Sequence, residues 1–581
     1  MTAIETTGVA PATQRAATDE VMTIVDPAGE LAGESFALSP RRPDLLKGAR
    51  IGVLHNSKPN GDVLMNFVVD WLIAEHGVSE VVRVRKQTPG IPVNEEQLKA
   101  LEGCVAILNG TGDCGNCTSW TVHDTVALER LGFPTVMFGT DEFTYLAHME
   151  SESLGLGALS RVVVAHPINA RPLEEIRQKA EGVAEQVLRF LTTPGDQLTR
   201  EHYAACDLRD GAARTEKPLE AERVTIARSY EALAGYLAQA ELGDGLPVVA
   251  PTERRVAAML EWTDRDPTDV VANLMPTGAA ATVEKVAANA VMAGCQPMHL
   301  PLVIAAIEAI AQPAFNLLGV QATTHTVAPL MVVSGPLAEE AGVNSGAGLF
   351  GPGFQANASI GRAVRLAMLN IGGARPGLLD KSTMGQPGKF TYCIAENEAR
   401  SPWEPLRVER GLPAEATMIT MVPGEAPHTV HDNQSTSAEG LLRVICGSIA
   451  QTGSNNSVFD ADFLVVIGPE HAETIARDGF TKKDVQRYIF DNARIPLSRW
   501  SPEYIQGLFR DKYPDRYGDA DAETTLIPFA ADPESVIVIV AGGPGKFTMH
   551  VPTMGAMPTV HQPVLLKSGE YARSLTDFRR R

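Results

Sequence analysis

Positive charge is what this sequence has too little of. Lys and Arg total 50 against 70 Asp and Glu, a net charge of −20. A chain so acidic is a poor match for nucleic acid or an anionic membrane, since both attract basic surfaces. Aromatic residues are sparse as well, at 6%. No run of about 18 apolar residues occurs, so no membrane-spanning helix is expected. Residues 1–20, MTAIETTGVAPATQRAATDE, lack the apolar core of a signal peptide. The 7 cysteines in 581 residues are too few for a disulfide scaffold. They are expected to be reduced thiols in a cytoplasm.

What the chain does have is glycine (51) and proline (39), the residues of tight turns, and an alternation of short apolar runs with amphipathic ones. Residues 1–45 lack apolar periodicity and read as a tail or surface arm with room for partial order. From 46 to 195 the pattern is strand–helix–strand. RIGVLH (50–55), VSEVVRV (78–84), CVAILNG (104–110), PTVMFG (134–139) and RVVVAHP (161–167) are the strands, with helical spacing between them and over 172–191. Such alternation predicts an α/β fold with a doubly wound parallel sheet covered on both faces. Residues 196–225 are polar and punctuated by Gly and Pro, and read as a linker. Residues 226–581 form a larger α/β or α+β region, with a division into two subdomains expected near 455.

The sharpest local signal is LNGTGDCGNCTSWTVHD (108–124). A strand ends there, a turn carrying Gly110, Gly112 and Gly115 follows, and a helix opens near Thr118 or Ser119. Ligands of open α/β sheets bind outside the carboxyl ends of the strands, which is where this loop lies. Backbone N–H groups at a helix start favour negative charge, so a thiol placed there ionises more readily. Cys114 is therefore read as a nucleophile or redox thiol, and Cys117 as its resolving partner. His123 is the nearest candidate base. Asp113 would oppose ionisation of Cys114 by repulsion, or instead orient a donor or handle a proton. Gly112, Gly115, Asn116 and Thr118 are expected to line the substrate. A structural zinc site would need a second pair of ligands, and no second CxxC is present.

These residues resemble the UGSC family of (seleno)proteins, named for a selenocysteine–Gly–Ser–Cys motif in the same strand–loop–helix setting. GDCGNCTSWTVHD carries the likeness, together with IGVLHNSKPNGD (51–62) and FGTDEF (138–143), over roughly residues 48–195. Cys114 stands at the selenocysteine position and Asn116 replaces the Ser. The resemblance implies a redox or nucleophilic role for that position. A looser likeness, in motif alone, is to the selenoprotein components of amino-acid reductases.

The second region supplies further candidates. His325 lies in a hydroxyl-rich turn before a strand, and GKFTYCIAENEARSPWEP (388–405) groups Tyr392, Cys393, Glu396 and Glu398. His325, Tyr392, Cys393 and Glu396 are expected as pocket residues. The glycine-rich loop 344–363 runs into a helix whose expected cap is Asn357, but it lacks the Lys of a phosphate-binding loop.

The leading expectation is a thiol-dependent oxidoreductase or lyase. It cleaves a bond of a small organic substrate, reductively or through a covalent sulfur adduct, with a thiol reductant as partner. Persulfide sulfur transfer through Cys114 uses the same residues. The alternative is a metal-dependent lyase or hydrolase with a divalent metal on His325, His428, His431, Glu396 and Glu398. A third class is a binding or scaffolding protein with structural cysteines. No motif calls for another cofactor. The apolar fraction and fused architecture favour a homo-oligomer.

Overall fold

Apolar alternation builds the first sheet. Its strands are β2 (Arg50–His55), β3 (Glu80–Arg85), β4 (Ala106–Gly112), β5 (Thr135–Thr140) and β6 (Arg161–Val164), following a separate β1 (Val21–Val25). They are parallel and ordered β3-β2-β4-β5-β6. The connecting helices are α1 (Gly61–His76), α2 (Glu95–Ala100), α3 (Gly115–Arg130) and α4 (Thr144–Ser153). After β6 come α5 (Leu173–Glu181), α6 (Ala184–Thr192) and α7 (Gly195–Ala205). Ile51, Val53, Leu108, Val136, Phe138 and Val162 face α1, α5 and α6. Leu54 and Ile107 pack with Leu128 of α3, and Met137 packs with Val122 and Val126 of α3 and Ala147 of α4. The sheet is thus doubly wound, as the alternation predicts. The single long helix expected over 172–191 is broken at Gly182–Val183.

This computed structural model describes residues 21–29, 36–40, 42–205, 219–459, 461–555 and 557–580. Residues 1–20, 30–35 and 41 of the expected tail, and 206–218 of the expected linker, lie outside that range.

The described parts of both segments are structured, which corrects those readings. Strand β1 pairs antiparallel with β7 (Arg223–Ala227), so the chain's first strand joins the second region. Leu38 and Leu46 are buried in the first domain's cores. Arg42 pairs with Glu129 inside the protein (2.7 Å), and Glu129 also accepts from the Ser39 and Thr135 N–H groups (2.7 Å each). Helix α7 occupies the start of the expected linker and buries Leu198. Short polar segments leave too little periodicity to reveal partners so far away in sequence.

The second region continues with α8 (Tyr230–Gln239), α9 (Glu253–Leu260), a hairpin of β8 (Val270–Leu274) and β9 (Ala279–Thr282), and α10 (Val283–Ala293). Then come α11 (Leu300–Ile310) and α12 (Leu317–Ala322). Two four-stranded sheets follow. The first joins β10 (Ala328–Ser334), β11 (Cys393–Ala395), β12 (Met418–Gly424) and Val560–Pro563. The second joins His428–His431, Phe463–Ile467, Val536–Val540 and Phe547–Val551. Leu330, Val332, Met418 and Val422 of one sheet share a core with Leu464, Val466, Ile537 and Ile539 of the other. The alternate residues Met331, Val333, Ile419 and Met421 face α10, α11 and the helix Gln355–Asn370. Val465, Ile467, Val538 and Val540 face the helices Ala438–Ile449 and Lys482–Asn492. The result is four layers, helix–sheet–sheet–helix, the central strands burying both faces by their period of two while the edge strand His428–His431 stays largely exposed. His428–His431 already pairs with Phe547–Val551. The division between the two halves therefore falls near 425 rather than 455.

Candidate active site

The order β3-β2-β4 places the loops after β2 and β4 side by side, with α1 leaving to one face and α3 to the other. That is the switch point where an open α/β sheet has its crevice. Cys114 is the N-cap of α3, in extended backbone, and its Sγ accepts the Cys117 N–H at 3.4 Å. The helix begins at Gly115, a turn earlier than the sequence suggests. Cys117 is fully buried (0% exposed), while Cys114 keeps part of its surface. The Cys117 Sγ lies 3.1 Å from the Cys114 carbonyl and 3.3 Å from the Asp113 N–H.

The loop after β2 brings the residue the sequence reading missed. Lys58 brings its positive charge to the two sulfurs. Its flanking Ser57 and Asn60 both sit at φ 62, a region that costs a non-glycine residue energy. Several bonds hold this loop in place. His55 Nε2 lies 3.1 Å from the Lys58 carbonyl, and Asn56 Nδ2 donates to the Thr111 carbonyl at 2.8 Å. Asn60 Nδ2 donates to the carbonyls of Ile168 and Arg171, 3.1 Å each.

The electrostatics separate the two thiols. Cys114 is lowered to about 6, chiefly by the adjoining Cys117 thiol, with the charge of Lys58 and the Cys117 N–H adding to it against the cost of burial. Cys117 is raised, first by burial and then by its neighbour. Lys58 is itself raised by the sulfur pair, Cys117 foremost and then Cys114, with Asp113 behind them. The pair shares one negative charge, held mainly on Cys114. Asn116 Oδ1, Thr111 Oγ1 and Thr118 Oγ1 are buried around it with no hydrogen-bond partner.

Two of the expected catalytic residues do other work. The Asp113 carboxylate points away from the sulfurs and accepts from the Ile168 and Asn169 N–H groups (2.9 and 3.0 Å), with His166 Nδ1 at 3.1 Å. It anchors the turn after β6 and does not oppose ionisation of Cys114. His123 lies beside Trp120, its Nε2 buried without a partner, and burial lowers it to about 4. Its electrostatic neighbours are Arg130 and Lys86 rather than a thiol. Asp124 forms a buried pair with Lys86 and accepts the Val93 N–H at 2.8 Å.

The second region closes over the loop through α12. A Cβ at Gly115 would lie 1.5 Å from the Ala322 carbonyl oxygen, so only glycine fits there. A Cβ at Gly112 would lie 2.8 Å from Thr118 Oγ1. Asn116 is wedged between Gly90 and Gly319, and Asn316 Nδ2 donates to the Gly90 carbonyl at 2.7 Å. Next to Ser57 a cleft of about 680 Å³ opens between the regions, lined by Arg85 and Thr88 on one side and Phe459 and Lys512 on the other. Burial, and then the like charge of Arg85, lower Lys512. Among the described residues neither cation has an ion-pair partner, and although Asp511 also lines the cleft, Arg85 and Lys512 together with Lys86 leave its walls with more positive than negative charge.

The other expected pocket residues lie elsewhere. Tyr392 is buried and donates to the Glu425 carbonyl (2.8 Å), and Cys393 is buried and raised by that burial. Glu396 accepts from Ser334 Oγ (2.6 Å) and the Leu406 N–H (3.0 Å). With Glu398 it lines a separate cleft of about 940 Å³. His325 bonds Glu425 (2.9 Å) ahead of β10, while Glu396 follows β11, at the opposite end of the same parallel pair. His428 and His431 are exposed on a different sheet. The five expected metal ligands therefore do not converge. Asn357 does not cap its helix, which begins at Gln355; its amide bonds Asn344 and the Cys393 carbonyl.

The family model of the UGSC family matches residues 23–193, under a third of the chain. The match takes in the whole first sheet, both cysteines and Lys58. No curated protein matches the chain, and no solved structure does.

Proposed function

Residues 23–193 are a UGSC-family domain, and from that premise we propose that the chain is a thiol-dependent enzyme with Cys114 as its nucleophile. One observation carries the reading: a partly exposed thiol, lowered to about 6, sits near Lys58 at a helix start beside the sheet's switch point.

The Cys114 thiolate attacks an electrophilic heteroatom of a small organic substrate. A sulfur–heteroatom bond forms, and the substrate's leaving group departs with the bonding pair and a proton. Cys117 gives up its proton and attacks the Cys114 sulfur, forming a Cys114–Cys117 disulfide. The second fragment leaves, so the substrate gains two electrons and the cysteine pair loses them. An external thiol reductant then returns the pair to the dithiol. Lys58 holds the thiolate charge and is placed to neutralise charge on the departing group. The cleft with Arg85 and Lys512 favours substrates that carry a carboxylate or phosphate.

The test is alkylation by iodoacetamide across pH, followed by intact mass and peptide mapping. Cys114 labels first, with an inflection near pH 6. Labelling of Cys114 no faster than Cys295, which burial pushes up to about 12, would overturn the reading. Turnover assays of the Cys117→Ser variant with candidate substrates then look for a trapped adduct on Cys114.

A further inference from the structure

Helix α4 serves two faces. Glu150 turns toward α3, where Ser119 Oγ donates to it at 2.6 Å. His148 and Glu152 are four residues apart, one helical turn, and so share another face. Across from them on α7 stands His202, whose ring centroid is 6.3 Å from that of His148. One ligand atom from each of His148, Glu152 and His202 lies within 4.8 Å of the others. All three side chains are half-buried.

We propose that His148, Glu152 and His202 form a binding site for a divalent transition-metal ion, with zinc the best fit. Two imidazoles and one carboxylate are a borderline donor set. It suits zinc, cobalt or nickel better than magnesium or calcium, which need more oxygens. Small rotamer adjustments bring the donors to bonding distance, and a tetrahedral ion keeps a fourth position for water. Gly157 makes room for the carboxylate, since a Cβ there would fall 1.9 Å from Glu152 Oε1 and 2.8 Å from the Tyr203 hydroxyl. Arg161 is the nearby cation and works against the ion. The carboxylate supplies the opposing charge. Bound metal would clamp α7, the helix leaving the first domain, onto α4. The site stands apart from the sulfurs and does not depend on the proposed thiol chemistry.

The full chain, stripped with a chelator, is titrated with Co2+ and then Zn2+, recording visible absorption, bound metal and Tm. The expected result is a single ion per chain, cobalt d–d bands without a thiolate charge-transfer band, and a raised Tm. Binding persists in a Cys114→Ser/Cys117→Ser variant. His148→Ala and His202→Ala each weaken it by about tenfold or more, while the metal-free Tm and circular dichroism confirm that both variants fold. Undiminished binding in the two histidine variants, loss of binding in the cysteine variant, or no binding at all would each overturn the proposal.

Discussion

Among the described residues two pairs of cysteines are neighbours, and their surroundings act on ionisation differently. Cys114 and Cys117 sit at the rim of the first sheet, and Cys114 is lowered to about 6. Cys295 and Cys393 lie in the second region, where burial pushes Cys295 up to about 12 and raises Cys393 as well, Cys393 further by its neighbour. Nearness of two sulfurs is thus not what makes a thiol reactive. A helix start, a neighbouring donor and a lysine make one pair ionisable, while an apolar setting leaves the other protonated.

The largest effect that tests this contrast is the loss of the reactive thiol itself. Cys114→Ser should remove rapid alkylation at pH 7, a fall of about 100-fold in the fastest labelling rate. Cys393→Ser should leave that rate unchanged. Equal effects would erase the distinction between the pairs.

Lys58→Met should come next. It moves the Cys114 thiol upward from about 6 toward the ordinary value of 9.0 and slows labelling at pH 7 by about tenfold. The two proteins should converge near pH 10, where both are thiolates. A parallel loss at every pH would mean that Lys58 shapes the loop rather than the charge.

Two buried groups, one in each region, should also erode stability at opposite ends of the pH scale. Glu150 is buried and raised by that burial to about 8. The unfolded chain releases this proton near 4.5 and the fold only near 8, so stability falls as pH rises through that window. Glu150→Gln should raise Tm at pH 8 by the equivalent of roughly 3 kcal/mol and leave pH 4 nearly unchanged. His550 is buried in the second region, both ring nitrogens without partners, and burial lowers it to about 3. The unfolded chain takes up this proton near 6.5, so stability falls as pH drops below that value toward 3. His550→Phe should flatten the acid limb of the Tm profile. Identical profiles for either variant and the parent would refute the corresponding half.

The smallest expected effect concerns the cleft between the regions. Iodoacetate should gain on iodoacetamide at Cys114, and Arg85→Ala with Lys512→Ala should cut that preference by about threefold at low salt. An unchanged ratio would show that the cleft does not serve the thiol.

Much of the first domain was legible because its strands bury nearly continuous apolar runs, and such runs name themselves. Cys114 and Cys117 were legible for the same reason: a glycine turn after a strand marks the rim. Asp113 and His123 were misread because sequence proximity says nothing about direction. Asp113 turns toward the backbone of residues 168 and 169, and His123 packs beside Trp120. The tail reading failed where Val21–Val25 meets its partner strand some 200 residues later, a pairing with no local signal. His148 and Glu152 could have been found from their helical spacing, but His202 could not, since only the docking of α7 on α4 supplies it.

By itself the sequence determined the alternating first domain, the strand end that carries the two cysteines, and the presence of a helix after them, because periodicity and turn chemistry are local. Only the tertiary structure decided that Lys58 meets Cys114, that α12 covers Gly115, and that Glu396 and His325 lie at opposite ends of a parallel strand pair. Those outcomes depend on which strands become neighbours. Sheet order is settled by the packing of whole faces, which no short stretch of residues encodes.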